Sequence, residues 1–265
     1  MSEWITIYQV DAFADQVFRG NPAAVVPLAK WLPDEKLQQI AEENNLSETA
    51  FFSPDETGQL LLRWFTPVSE VELCGHATLA AAYVLFEEMG FADEQVVFNT
   101  LHKGPLTVKR DGKAFEMTFP KLQPEVVNEV PAGISQGLGI DVAEVLASDD
   151  YLVVLPSEDD VLNVNPDFNA LAKLDRRGVI ITAPGKSEDF VSRFFVPSLG
   201  VNEDPVTGSA HCISAPYWAE KLGKSQLTAK QVSKRTGLLS CEVSESSVTL
   251  KGEGVLYMKG SILIG

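Results

Sequence analysis

Three side chains capable of acid–base chemistry lie beside short segments rich in small residues. Glu48 lies directly before an apolar run, His76 follows a glycine, and Asp204 lies just before a second glycine-containing turn. Partial burial raises the pKa of a carboxyl group, which suits a group that takes and returns a proton near neutral pH. The positive end of a helix dipole favours the neutral form of an imidazole. We therefore predict that Glu48 has a raised pKa and that His76 is neutral.

Gly75 and Gly208 each lie in a small-residue turn at the predicted start of a helix. The first N–H groups of a helix lack carbonyl partners and, with the helix dipole, favour an anion, while glycine lets a ligand approach the backbone closely. Close packing of the helix on a strand would explain one such turn, but two paired turns favour an anion site. One helix end contributes only about 0.3–1 kcal/mol through its dipole. Two facing ends could hold a carboxylate and stabilise the negative charge formed when a neighbouring C–H bond loses its proton.

The two turns belong to an internal repeat. Residues 63–67 match residues 193–197 at an offset of 130, and after a three-residue insertion Cys74–Ala77 aligns with Thr207–Ala210 at an offset of 133. Both copies predict a strand, a proline-containing loop, a small-residue turn and a helix that ends at glycine. We expect two similar halves related by a pseudo-two-fold axis, with both turns in the cleft between them.

The pattern of apolar residues predicts a strand-rich α+β chain with few helices. In the first half it predicts a helix over 34–44, strands over 49–52 and 60–65, and a helix over 76–89. In the second half it predicts a helix over 142–146, strands over 178–182 and 191–196, a helix over 209–222 that Pro216 kinks or ends early, and two late strands over 247–251 and 255–264. A proline-containing linker between 120 and 131 places the domain boundary at 122/123. The domains are then 1–122 and 123–265, and the last strand, near 255–265, is left open to join the first.

Composition and charge exclude several classes of protein. The 265 residues include 21 Lys and Arg against 37 Asp and Glu, a net charge of −16, which gives no general attraction for nucleic acid or an anionic membrane. The chain has no apolar run of membrane-spanning length and no basic-then-apolar leader, and its three widely spaced cysteines favour a reducing cytoplasm. It also has no HExxH or CxxC pair, so we predict no metal site.

Four motifs occur in an order that resembles the phenazine-biosynthesis PhzF-like family over nearly the whole chain. They are Phe18-Arg19-Gly20-Asn21-Pro22-Ala23-Ala24-Val25, Leu46-Ser47-Glu48-Thr49-Ala50-Phe51, Glu72-Leu73-Cys74-Gly75-His76-Ala77-Thr78 and Asp204-Pro205-Val206-Thr207-Gly208-Ser209-Ala210-His211. The resemblance implies a diaminopimelate epimerase-like fold of two similar α+β domains. Each would be a strand barrel around a central helix, with the active site in the cleft.

The resemblance also implies a cofactor-independent isomerase that is usually a homodimer. Glu48 then corresponds to the general acid/base that moves a proton between carbons of the substrate, with His76 and Asp204 as polar partners. The substrate carboxylate would be bound by Gly75, Gly208 and Ser209. The best-known member isomerises a dihydro-hydroxyanthranilate, but many relatives have no assigned substrate.

The sequence leaves two alternatives to this isomerase open. Related amino-acid racemases and epimerases use two cysteines, one from each half, and the repeat places Thr207 opposite Cys74, so the two-thiol mechanism is disfavoured. A non-catalytic carboxylate-binding protein on the same scaffold would bind without exchanging a carbon-bound proton. The joint presence of Glu48, His76 and Asp204 speaks against it.

Overall fold

The computed structural model describes residues 3–265, which divide into two units. Unit 1 comprises Met1–Met117 with Lys251–Gly265, and unit 2 comprises Thr118–Leu250. The boundary lies at Met117/Thr118, where the sequence predicted 122/123, and Lys251–Gly265 belongs to unit 1, the possibility that was left open for the last strand.

Unit 1 combines a set of strands with two helices. In chain order these are β1 (Trp4–Ala12), β2 (Asn21–Pro27), α1 (Asp34–Asn44), β3 (Glu48–Pro54), β4 (Leu60–Phe65), β5 (Glu70–Val71), α2 (Gly75–Tyr83) continued by a π-helical turn (Val84–Glu88), β6 (Gln95–Asn99), β7 (Leu106–Asp111) and β8 (Ala114–Pro120).

Unit 2 also combines strands with helices, and it has more short helices than unit 1. Its elements are β9 (Glu125–Val126), α3 (Ala132–Leu138), β10 (Glu144–Ala147), β11 (Tyr151–Val154), α4 (Glu158–Asn163), α5 (Phe168–Leu171), β12 (Val179–Pro184), β13 (Phe190–Val196) followed by a 3-10 turn (Pro197–Leu199), β14 (Val201–Asp204), α6 (Gly208–Leu222), β15 (Gln226–Gln231), β16 (Gly237–Val243) and the start of β17 (Ser247–Leu263).

The strands of unit 1 form a closed ring around α2. Each strand pairs with the next in the order β1–β2–β3–β4–β6–β7–β8–β17, and β17 pairs with β1 to close the ring. Every residue of α2 from His76 to Ala82 is buried, and the helix packs on β1, β2 and β3. A helix that is apolar on all sides is a core helix, so α2 is the centre of this unit.

Unit 2 repeats the pairing pattern around α6. The pairs β11–β12 and β13–β15 are parallel and β12–β13 is antiparallel, as are the corresponding pairs β2–β3, β4–β6 and β3–β4 of unit 1. Every residue of α6 from Ala210 to Trp218 is buried, and the helix contacts β12, β15 and β16. The predicted α+β fold of two similar domains is therefore confirmed.

The repeat extends to individual side chains. Arg63 and Glu70 of unit 1 form a two-pronged ion pair with N···O distances of 2.7 and 2.8 Å. Their counterparts Arg193 and Glu203, at offsets of 130 and 133, form the same pair at 2.8 and 3.0 Å. These matched pairs support a duplicated unit rather than two unrelated domains.

Two predictions about secondary structure are wrong. The segment expected as a helix over 142–146 contributes to strand β10, and the late strands expected over 247–251 and 255–264 are one strand, β17. Pro216 does not end α6 early, since the helix continues to Leu222, and the kink stays a prediction. Proline lacks the N–H that would bond to the carbonyl of Cys212 four residues earlier. The backbone N–H of Leu122 donates to that oxygen instead, at 3.1 Å, so the Cys212 carbonyl is paired.

Candidate functional site

The first cluster of predicted site residues lies in unit 1, where the start of α2 meets the start of β3. Glu48 is the first residue of β3 and pairs in register with Ala23 of the parallel strand β2. Gly75 and His76 are the first two residues of α2. Because α2 packs on both strands, the beginning of the helix brings the His76 imidazole to the Glu48 carboxylate.

Polar groups contact the His76 imidazole at both ring nitrogens. Nε2 lies 3.2 Å from Oε2 of Glu48, with only 7% and 18% of the two side chains exposed. Nδ1 lies 3.3 Å from Nδ2 of Asn21 and 3.4 Å from Sγ of Cys74. Nε2 of His76 and Oε2 of Glu48 are at ion-pair distance but not aligned as a hydrogen bond, and neither atom has a hydrogen-bond partner among residues 3–265. Both atoms are buried, so they face each other out of contact with solvent.

The protonation states differ from those predicted. Burial acts to raise the pKa of Glu48, but the neighbouring His76 and the Cys74 thiol outweigh it and hold the pKa below its usual value. Burial acts to lower the pKa of His76, yet Cys74 and Glu48 raise it well above its usual range. The prediction of a raised Glu48 pKa and a neutral His76 is therefore wrong, because it neglected the attraction between the two groups. Glu48 is therefore a carboxylate at neutral pH.

Glu48, Cys74 and His76 also offer one potential metal-ligand atom each, all within 4.8 Å of one another. As they stand, the sulfur faces Nδ1 and the carboxylate faces Nε2 of the same imidazole. A metal ion takes one nitrogen of a histidine. The present side-chain arrangement therefore fits proton transfer better than it fits a metal ion.

The second cluster lies in unit 2, where β14 leads into α6. Asp204 ends β14, and one of its carboxylate oxygens accepts a hydrogen bond from the Thr207 hydroxyl. Gln231 is fully buried and ties this turn together, because its amide donates to the Asp204 carbonyl at 2.7 Å and accepts from the Thr207 N–H at 2.9 Å. Gly208 and Ser209 follow as the first two residues of α6. The turn is thus held rigidly ahead of a helix N-terminus.

A guanidinium group lies beside that helix start. Nη2 of Arg177 donates to Oγ of Ser209 at 2.9 Å. The same guanidinium is paired with both carboxylate oxygens of Asp150, which is fully buried, with an Nε···Oδ1 distance of 2.9 Å. Burial acts to lower the pKa of Arg177, but Asp150 outweighs it and raises the pKa. Arg177 therefore carries a fixed positive charge next to Ser209.

The structure thus groups the six predicted residues into two clusters. Glu48, Gly75 and His76 meet in unit 1, and Asp204, Gly208 and Ser209 meet in unit 2. Their roles stay predictions, as does the shared cleft expected for the two turns. Sequence reasoning assigned no role to four polar residues that complete the clusters: Asn21, Asp150, Arg177 and Gln231. Only Asn21 carried a signal, since it lies in one of the family-like motifs.

None of the helices formed by residues 3–265 combines the length and the apolar composition needed to cross a membrane.

Comparison with known proteins yields consistent matches. The phenazine biosynthesis-like protein family matches residues 10–260. An uncharacterized isomerase of Pseudomonas aeruginosa is 53% identical over 97% of this chain and 98% of that protein. A crystal structure of a phenazine biosynthesis protein of the PhzF family from Enterococcus faecalis is 47% identical, with a TM-score of 0.94 over 99% of both chains. A hydroxyproline epimerase from Agrobacterium vitis, 10% identical with a TM-score of 0.59 over 98% of this chain and 92% of that one, shares the fold alone.

Proposed function

Because the chain belongs to the phenazine biosynthesis-like protein family and is an isomerase, we propose that it moves a proton between two carbons of a small carboxylate-bearing metabolite. The catalysis is general acid/base catalysis and uses no cofactor. The observation that carries this proposal is the buried contact of Glu48 with His76. It joins an ionised carboxylate to an imidazole whose pKa is raised.

The proton balance of this reaction needs only one base. The Glu48 carboxylate takes a proton from one carbon, and the electron pair of that C–H bond shifts into the unsaturated system of the substrate. The carboxyl proton exchanges with solvent, and the carboxyl group then delivers a proton to another carbon, so that a double bond moves and no net proton is consumed. His76 stabilises the carboxylate before and after the transfer. Acid–base catalysis of this kind contributes about 10²- to 10⁴-fold to the rate.

The N-terminal turns of α2 and α6 supply the charge stabilisation that acid–base catalysis alone lacks. Gly75 begins α2 and Gly208 begins α6, and the first N–H groups of each helix have no intrahelical partner. N–H groups at a helix start bind anions, and the dipole adds a favourable field. In this proposal they bind the substrate carboxylate together with the Ser209 hydroxyl, and the Asp204 turn positions the second helix start.

An amino-acid racemase with two thiol bases is the second candidate, and the chemistry of the cysteines argues against it. Burial raises the pKa of Cys74, the thiol nearest to Glu48 and His76. Its counterpart in the repeat is Thr207, a poor base. Cys212, the cysteine nearest to that position in sequence, is buried, and its pKa is raised to about 12. A thiol with such a pKa stays protonated at neutral pH and cannot remove a proton.

The position of an incorporated deuterium separates the two candidates. The protein would be incubated in heavy water with dihydro-hydroxyanthranilate and with a panel of amino and unsaturated carboxylic acids. NMR would then locate the label. The proposed isomerase places deuterium on a carbon that gains a hydrogen as the double bond moves, and a Cys74→Ala variant does the same. Labelling only at the α-carbon of an amino acid, with loss of chirality, would favour the racemase, above all if Cys74→Ala abolished it.

Two further expectations remain part of this proposal. The resemblance implies a homodimer, and the acidic chain with three widely spaced free cysteines fits a reducing cytoplasm. Sedimentation equilibrium tests the first, since a monomer at all accessible concentrations would contradict it. Localisation of a tagged chain in its host tests the second.

A further inference from the structure

The internal repeat shows which residue of unit 2 corresponds to Glu48. On the antiparallel pair β3–β4, Thr49 lies opposite Phe65, and on β12–β13 Val179 lies opposite Phe195. The offset between the pairs is 130 residues in both strands. The residue before Thr49 is Glu48, so its counterpart before Val179 is Gly178. Unit 2 therefore has no acid at the position of the proposed base.

Gly178 leaves no room for such an acid. A Cβ atom at this position would lie 2.5 Å from Cγ1 of Val196 and 2.6 Å from the backbone oxygen of Phe195. Real Cβ atoms do not approach backbone oxygens this closely. A side chain at this strand start can therefore come only from a neighbouring residue, and the preceding residue is Arg177.

Arg177 reaches the same place in unit 2 that Glu48 reaches in unit 1. His76 and Ser209 are counterparts at the offset of 133, and each is the second residue of the central helix of its unit. Glu48 contacts His76 at 3.2 Å, and Arg177 contacts Ser209 at 2.9 Å. The duplicated scaffold thus carries a carboxylate and an imidazole in one unit and a guanidinium and a hydroxyl in the other.

Asp150 fixes the orientation of the guanidinium. It lies directly before β11, the strand that pairs in parallel with β12, and its carboxylate is fully buried. The guanidinium also lies over the Phe194 ring at 5.6 Å, while 37% of the Arg177 side chain stays exposed. A buried ion pair adds little net stability, because desolvation offsets the attraction. This pair therefore fits the placement of a group better than the stabilisation of the fold.

We propose that Arg177, held by Asp150, is the positioning residue that makes Ser209 a donor to the substrate carboxylate. The Ser209 oxygen accepts the hydrogen bond from Nη2 of Arg177, which directs the hydroxyl proton away from the guanidinium and toward an acceptor. A hydroxyl polarised by a cation donates more strongly. The inference rests on the proposed function, since that proposal brings the carboxylate to Ser209. It also makes the site selective for a carboxylate over a carboxamide, because a charged carboxylate oxygen accepts this bond more strongly than a neutral amide oxygen does.

Calorimetric binding of two matched small molecules tests the assignment. The probes are anthranilate and 2-aminobenzamide, which differ in the carboxylate. The native protein is compared with Arg177→Met, Arg177→Lys, Ser209→Ala and the double variant Arg177→Met/Ser209→Ala. Arg176→Met is the matched control, because the neighbouring guanidinium lies over Tyr151 and bonds to the Ser148 carbonyl instead. Thermal unfolding verifies that each variant is folded.

We expect saturable binding of anthranilate and at least about 10-fold weaker binding of 2-aminobenzamide, the size of one charge-assisted hydrogen bond. Arg177→Met weakens anthranilate binding about 10-fold in the native background and has little further effect once Ser209 is alanine. The anthranilate affinity of Arg177→Lys lies between those of the native protein and Arg177→Met. The affinity of Arg176→Met equals that of the native protein. If Arg177→Met does not fold, the Ser209→Ala and Arg177→Lys measurements decide the matter alone.

Three results would overturn the assignment: no binding of anthranilate by the native protein, equal binding of the two probes, or the same loss from Arg177→Met with and without the Ser209 hydroxyl. A failure of the proposed function is distinguishable from these. It would appear as unchanged isotope exchange by Glu48→Gln, a variant that keeps the whole Arg177 cluster.

Discussion

Nε2 of His76 and Oε2 of Glu48 lie 3.2 Å apart at the junction of α2 and β3, in side chains that are mostly buried. Neither atom has a hydrogen-bond partner among the described residues, 3–265. The imidazole therefore controls the charge of the carboxylate and keeps its pKa below the usual value. If Glu48 is the base that we propose, the activity should depend on pH through this contact.

Replacing His76 with asparagine should shift the acid limb of the pH–rate profile to higher pH. In the native protein the pKa of Glu48 is held below its usual value by His76, so the carboxylate stays ionised well into the acid range. Without the imidazole, burial dominates and raises that pKa. The measurement is the rate of isomerisation as a function of pH for both proteins.

His102→Asn is the matched control for this shift, because His102 lies on an exposed bend and is not among the groups that shift the pKa of Glu48. Its profile should coincide with that of the native protein. An acid limb that stays in place in His76→Asn, or that moves to lower pH, would show that His76 does not control the Glu48 charge.

The buried His211 should make the protein less stable as the pH falls below about 6.5. Burial lowers its pKa from 6.5 to about 4, although Nδ1 lies 2.8 Å from the Thr207 carbonyl. The unfolded chain therefore binds this proton first, and the free energy of unfolding decreases from pH 6.5 down to about pH 4. The contribution of this residue is at most about 1.4 kcal/mol per pH unit.

Denaturant unfolding of the native protein and His211→Asn at pH 7, 6 and 5 measures this contribution. Asparagine can still donate to the Thr207 carbonyl but does not titrate, so the variant should lose less stability between pH 6.5 and 5. The pH dependence of stability that His76 contributes has the opposite sign, because its raised pKa adds stability at low pH. This contribution is the same in both proteins and therefore cancels in the comparison. Identical pH dependence in the two proteins would refute the assignment to His211.

Gly178→Ala should destabilise unit 2, because its Cβ would meet the Phe195 carbonyl at 2.6 Å. Overpacking of this kind costs about 1–3 kcal/mol. Gly260→Ala serves as the control, since the nearest atom to its Cβ is the Met258 sulfur at 3.8 Å. The measurement is the denaturation midpoint of each variant. Equal midpoints would mean that the strand start at Gly178 can shift, and would weaken the argument that Arg177 substitutes for a side chain there.

Much of the fold could be predicted because local patterns and the repeat agree. The helix over Asp34–Asn44 follows from its apolar face, and the duplicated strand–turn–helix segments follow from the match of residues 63–67 to 193–197. A short apolar segment fits a helix and a buried strand equally well. The pattern of Val142–Leu146 therefore could not distinguish the predicted helix from a strand. Tertiary contacts explain why α6 continues past Pro216, since the Leu122 N–H donates to the Cys212 carbonyl in place of the missing helix hydrogen bond.

Residues of the candidate site could be proposed from the sequence only where each lies within a short recognisable motif. Glu48, His76 and Asp204 each lie in such a motif. Asp150 and Arg177 do not, because 27 residues separate them and only the pairing of β11 with β12 brings them together. The charge states of Glu48 and His76 were likewise beyond local reasoning, since each depends on the other.

Incorporation of solvent deuterium by the native protein and by Glu48→Gln tests the central claim most directly. Both are incubated in heavy water with dihydro-hydroxyanthranilate and the panel of amino and unsaturated carboxylic acids, and mass spectrometry follows the label. Glutamine keeps the shape of the side chain but cannot take a proton from carbon. The account predicts incorporation by the native protein and a rate at least about 100-fold lower for the variant, with cooperative unfolding of both proteins showing that the variant is folded. Incorporation at the native rate by Glu48→Gln would contradict the account and show that another group is the base.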